Sequence, residues 1–252
     1  VCRSENDLLK QNDIIVQLLD KDVGGIAMVP APSAPTPAYQ VRQIRERGVP
    51  LVFCHRGVEG MQAPLLAIPF KDVGRMAGET LARYGHRRVA FISFRASDAT
   101  RAYETGLREA ITAAGGELPE EFVNYIGISH ADASQNEEAV LPVLEKMCSG
   151  ANRPTAIMTG FDTESELVYL LLGQLGLKVP EDISLIGFGG TWRDGAMLRR
   201  LSAITVDETE LGRKASRLLH RMRIGELPLD DHQKIDMPLG LSEGRTLAGP
   251  QE

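Results

Sequence analysis

Two apolar periods alternate along this chain. Leu8, Leu9, Ile14, Ile15, Leu18 and Leu19 recur at helical spacing, and Gly24-Gly25 closes that run. Residues 26–29 form a short apolar strand ended by Pro30, and a proline-rich loop follows over 30–37. A helix then runs to Arg47 and stops at Gly48-Val49-Pro50. Strands are predicted at 51–54 and 65–68. Val73, Met76, Ala77, Thr80, Leu81 and Tyr84 mark a helix that ends at Gly85. Next come strand 88–93, helix 98–114 with its stop at Gly115-Gly116, and strand 122–126. In helix 134–149, Pro142 either introduces a kink or marks a later start. Strand 155–159, helix 162–175, strand 183–188 and a short extended stretch at 203–206 complete the alternation. Leu211, Ala215, Leu218, Leu219 and Met222 define a last long helix, and 234–237 reads as a closing strand.

Short apolar strands separated by amphipathic helices predict an α/β fold whose parallel sheets are covered on both faces. About eight or nine strands are expected. They fit one doubly wound sheet or two smaller sheets with a cleft between them. In both cases ligands are expected at the carboxyl ends of the parallel strands. That rule selects Cys54-His55-Arg56, residues 94–101, residues 159–162 and residues 189–192.

Composition narrows the function classes. The 252 residues carry 28 Lys and Arg against 34 Asp and Glu, a net charge of −6, so the chain itself makes a poor nucleic-acid binder. The densest basic cluster, RYGHRR at 83–88, is too small for a DNA footprint. The chain has no apolar run of the ~20 residues that a membrane helix needs. No signal peptide opens it, although a first residue of Val1 gives that observation little weight. Cys2, Cys54 and Cys148 have no metal or CxxC spacing and read as reduced cytosolic thiols. None of the five histidines, His55, His86, His130, His220 and His232, has a ligand spacing, so neither metal nor cofactor is expected. There is no GxSxG, HExxH, P-loop or GxGxxG, and an enzyme reading lacks a chemical centre.

The strand-end segments contain several candidate ligand contacts, each with a structural alternative. Arg101 follows the polar loop Ser97-Asp98-Ala99-Thr100 and offers five donors to a hydroxyl-rich or carboxylate ligand. Its alternative is an ion pair with Asp98. His55 ends its strand as a ligand contact or as a loop histidine. Asp162 suits a helix N-cap, and Phe161 points into the site or packs beneath it. Trp192 stacks on a ligand or joins the core. Gly189 lets a ligand or a neighbouring side chain approach the backbone. The acidic run Asp207-Glu208-Thr209-Glu210 reads as a helix start.

Several of these segments carry a family resemblance. Residues 84–92, YGHRRVAFI, resemble the LGHRRIAFI segment of LacI/GalR-type transcription regulators. Arg101, Gly106, Leu107, Arg108 and Ala110 resemble that family's RxxxxGYRxAL, and Pro154-Thr155-Ala156-Ile157 its PTAI strand. VPEDISLIGF at 179–188 is similar to VPEDISVIGFD, and Leu211-Gly212-Arg213-Lys214-Ala215 to LGRRA. The matches run in order over about residues 14–246.

The resemblance implies a periplasmic-binding-protein-like type I core, with two doubly wound lobes holding a small molecule in their cleft. It places three crossovers near Ile68, Val206 and Asp231. The first lobe is then 1–68 with 207–231, and the second 69–206 with 232–252. It further implies a homodimer and an operator-DNA headpiece outside this sequence, together with an opening strand and helix ahead of Val1. The alternative is a stand-alone solute-binding protein for a transporter. Against the family's pattern, Gly189 replaces a ligand-reading Asp, Phe161 an Asn, and Pro69 or Phe70 an Asp, while His55 stands where a carboxylate is common. Arg101 and Asp162 keep their types. Ser97, Arg101, Phe161, Asp162, Gly189, Trp192 and His55 are therefore the expected contacts, in an aromatic pocket suited to an anionic sugar derivative.

Overall fold

The computed structural model describes residues 1–31, 35–127 and 133–251, so the proline-rich loop lies partly outside the described residues. The alternation resolves into two sheets, not one. The chain divides into two compact units, Val1–Ile68 with Asp207–Pro238, and Pro69–Val206 with Leu239–Glu252.

The first unit is built on four parallel strands in the order β1-β2-β3-β9: β1 (Ile26–Met28), β2 (Leu51–His55), β3 (Leu65–Ala67) and β9 (Lys234–Asp236). Helix α1 (Leu8–Asp20) starts where the Asp7 carboxylate accepts the Leu9 and Lys10 amides at 2.7 and 3.0 Å. With α2 (Ala38–Glu46) it packs Ile15, Leu19, Val41 and Ile44 against Ile26, Met28, Leu51 and Phe53. Helix α8 (Glu208–Arg223) lies on β1, β2 and β3 and buries Leu211, Ala215, Leu218 and Met222. Each of its larger apolar side chains contributes about 2 kcal/mol. The acidic start of α8 has the expected structural role, because Asp207 accepts the Glu210 amide at 2.9 Å.

One boundary differs from the sequence reading. Residues 232–238 belong to the first unit, since β9 pairs in parallel with β3. The last crossover thus follows Pro238, not Asp231. Hydrogen-bonding to β3 decides which sheet this strand joins, and its own sequence carries no mark of that partner.

The second unit has six strands in the order β10-β8-β7-β6-β4-β5. They are β4 (Val89–Ser93), β5 (Val123–Tyr125), β6 (Ala156–Thr159), β7 (Ser184–Gly190), β8 (Ser202–Val206) and β10 (Leu239–Ser242). Only β10 is antiparallel among these described strands. Helices α5 (Ala133–Cys148) and α6 (Asp162–Gln174) bring Val140, Leu144, Val168 and Leu172 onto Ala90, Ile92, Ile157 and Leu185.

Helices α3 (Phe70–Arg83) and α4 (Asp98–Ala113) touch at backbone distance. A Cβ on Gly74 would lie 1.8 Å from the Tyr103 carbonyl oxygen, and one on Gly106 would lie 2.0 Å from that of Lys71. This contact fixes α4 and the side chains of its first turns. His86, the histidine of the GHRR segment, is buried and holds the C-terminal tail in place. Its Nε2 meets the Ala248 carbonyl at 2.8 Å, and its Nδ1 meets Thr155 Oγ1 at 2.9 Å.

The sequence reading missed the short helix α7 (Ala196–Arg200) and β10, which takes the described strands to ten. Helix α5 also continues through Pro142. Strand β7 is longer than expected, for it stays paired with β8 out to Gly190.

Candidate ligand site

The strand order of the second sheet reverses at β4, with β5 on one side and β6 on the other, and such a point is where doubly wound sheets hold ligands. The first turn of α6 lies down on this edge because three glycines make room for it. A Cβ on Gly160 would sit 2.7 Å from Glu164 Oε2, one on Gly187 would sit 2.2 Å from Ser165 Oγ, and one on Gly189 would sit 1.8 Å from Asp162 Oδ2. Each glycine is required by a close approach.

Two carboxylates occupy the space so made. Glu164 is fully buried. Its Oε1 accepts the Phe94 amide at 3.2 Å and the Ser93 hydroxyl at 3.4 Å, while Oε2 accepts the Gly160 amide at 2.9 Å. The side chain thus ties the ends of β4 and β6 together. Burial pushes its pKa up to about 7 in spite of these donors, which favour the ionised form.

Asp162 is the other. It is the first residue of α6, and Phe161 takes the N-cap position without a side-chain cap, so the expected capping role is not observed. Both carboxylate oxygens instead face Arg193. Its Nη1 donates to Oδ2 at 2.9 Å and its Nη2 to Oδ1 at 3.0 Å. Arg193 Nε also donates to the Leu198 carbonyl at 2.9 Å, and Nη2 to that of Leu201 at 3.2 Å. Burial raises the Asp162 pKa, and the Arg193 guanidinium opposes that rise.

The remaining expected contacts fall into two groups. Arg101 is exposed on α4 and forms no ion pair with Asp98. Its guanidinium lies over the Tyr125 ring, 5.4 Å from the centroid. Phe161 packs edge-on to Tyr103 and Phe188 at 6.2 and 6.3 Å, and Tyr103 meets Phe70 at 5.9 Å. An aromatic floor therefore exists, built on residues other than the tryptophan. Trp192 is 78% exposed, so it does not join the core, its structural alternative. Ser97 spends its hydroxyl in a capping box with Thr100. The room at Gly189 is filled by the Asp162 carboxylate.

In the first unit, His55 closes β2 with φ of +68°, a left-handed conformation that a non-glycine residue adopts at a cost. Burial and the neighbouring Arg56 charge push its pKa down to about 4, so its ring is neutral at physiological pH. It can exchange hydrogen bonds there but carries no positive charge. Glu164, Arg193 and Tyr103 were not singled out by the sequence reading. Gly160, which faces Glu164, was the only signal for that residue, and Gly74, which faces Tyr103, for that one.

The model of the periplasmic binding protein-like domain family matches residues 79–247. The chain belongs to this family. Among curated relatives of this periplasmic binding protein-like chain, the catabolite control protein A of Priestia megaterium is 23% identical over 86% of the chain and 63% of its own length. The transcriptional repressor PurR of Yersinia enterocolitica is 26% identical over 99% of the chain and 71% of its own length. The chain thus spans about two thirds of such relatives. A LacI family transcriptional regulator from Mycobacterium smegmatis superposes with TM-score 0.75 at 24% identity, covering 96% of this chain and 85% of that one. A complex titled transcriptional regulator CelR-cellobiose superposes with TM-score 0.74 at 23% identity, covering 94% and 70%. The LacI/GalR effector-core resemblance read from the sequence agrees with these relatives, and with the two-unit type I fold.

Proposed function

We propose that this chain is the effector-binding and dimerising core of a cytoplasmic LacI-type transcription regulator, and that its effector is a small anionic sugar derivative. The observation carrying the ligand class is the charge left over at the carboxyl end of β4. Arg95 and Arg101 stand there against Asp98, none of the three in an ion pair among the described residues, so one positive charge is in excess, while Asp162 is neutralised by Arg193 and Glu164 is buried on backbone amides. Arg101 supplies the forked donor and Phe161 the apolar surface. Ser97, Asp162 and Gly189 shape the site without gripping the ligand. The relatives are named as regulators, which favours this reading over a transporter's solute-binding protein. The cellobiose bound in the CelR complex makes a sugar-related ligand a fitting class, with a negative charge added here.

Isothermal titration against neutral and acidic sugars tests this. Glucuronate, gluconate and sugar phosphates are expected to bind, with a loss of about tenfold or more in Arg101→Ala, the worth of a charge-assisted hydrogen bond. Tight binding of a neutral monosaccharide would sink the ligand class. Sedimentation velocity checks the dimer, and a clean monomer at micromolar concentration counts against the regulator.

A further inference from the structure

Among the described ion pairs, Arg193 and Asp162 form the only one in which both side chains are less than a quarter exposed, at 7% and 20%. The guanidinium takes both carboxylate oxygens, as a bidentate ligand would, and spends its remaining reach on the Leu198 and Leu201 carbonyls. No side chain could stand at position 189 beside this arrangement, because its Cβ would overlap Asp162 Oδ2. Gly189, Asp162 and Arg193 therefore form one unit. The glycine vacates the space, the carboxylate enters it, and the arginine saturates the carboxylate.

We propose that Arg193 is an internal ligand of Asp162 and sets the specificity of the site, withholding from effectors the carboxylate that would otherwise grip the hydroxyls of a neutral sugar. This deepens the effector reading above and rests on it. The chemistry is direct. A buried carboxylate without a partner seeks donors, and a pair of vicinal hydroxyls presents them in the fork that the guanidinium presents here. With Arg193 in place, those acceptor sites are filled and a neutral polyol gains nothing at Asp162.

Arg193→Met tests this, since it keeps the apolar stem and removes the donors. Titrated with D-ribose, D-galactose and D-glucose, the wild-type chain is expected to show no binding. Arg193→Met is expected to gain roughly tenfold to hundredfold in affinity for at least one of them, the worth of hydrogen bonds to a charged acceptor. Adding Asp162→Asn should remove the gain. A folded Arg193→Met that gains nothing overturns the proposal, as does a gain that survives Asp162→Asn.

A second measurement uses the wild-type chain and needs no variant to fold. The Arg193 Nε–H resonance in nitrogen-15 spectra is expected to stay unchanged in a large excess of neutral sugar, and its displacement by sugar overturns the proposal. Failure of acidic sugars to bind the wild-type chain would sink the effector reading alone, because the Arg193→Met gain is read with neutral sugars.

Discussion

Glu164→Gln should flatten the pH dependence of stability that this one buried acid imposes. Its carboxyl goes from an ordinary value of 4.5 to about 7 in the folded chain, with burial outweighing three hydrogen-bond donors. That difference corresponds to about 3 kcal/mol between the two protonation states. The folded chain holds the proton more tightly than the unfolded chain, so the stabilisation is complete below about pH 4.5 and is lost as the pH rises through about 7. Glutamine cannot titrate. Its amide nitrogen also meets an N–H or O–H donor where an oxygen stood, a fixed cost of about 1–3 kcal/mol at every pH. The stability of wild type minus that of the variant should therefore fall by about 3 kcal/mol between roughly pH 4 and pH 8, closing the wild type's lead or reversing it. Urea unfolding followed by far-UV circular dichroism measures it. Trp192 is too exposed to serve as a fluorescence reporter. Amide exchange at Phe94 and Gly160, which donate to this carboxylate, localises the effect to the second unit. A gap that stays constant with pH would refute the reasoning, since the acid would then titrate alike in both states.

Three further outcomes follow from the same packing. Gly106→Ala drives a methyl into the Lys71 carbonyl, where the free distance is 2.0 Å, and should cost about 3 kcal/mol or more in thermal unfolding by prising α3 from α4. Asp162→Ala leaves the Arg193 guanidinium buried without its partner and should cost about 3–5 kcal/mol, read as a lowered urea midpoint. Burial holds the Cys54 and Cys148 thiols up at about 11, so only exposed Cys2 should react quickly with a thiol reagent in the native chain, all three reacting once it is unfolded.

What the sequence made legible follows from how each feature is encoded. Helices and strands are written in local periodicity, so the alternation and most element positions could be read directly. Sheet membership is not local. The strand at 234–237 carries no mark of joining β3, and pairing alone puts it in the first unit. The strand-end rule likewise selected segments but could not say which way their side chains face. Strand β7 stays paired through Gly190, two residues beyond its predicted end, and the chain that leaves it turns Arg193 inward and Trp192 outward.

The glycines were the most informative positions and the easiest to misread. Read along the sequence, Gly189 is a missing carboxylate and thus an opening for ligand. In three dimensions it is room reserved for the carboxylate of Asp162, as Gly160 is for that of Glu164. Neither acid is lost from the site, and neither is free. One is spent on a guanidinium and the other on backbone amides, so in the effector reading proposed above recognition at this edge passes to cations. A departure from a family's binding pattern can thus mean that the old contact has been turned inward. The change in ligand charge argued here follows from that internal pairing and would not follow from a simple loss of the side chain.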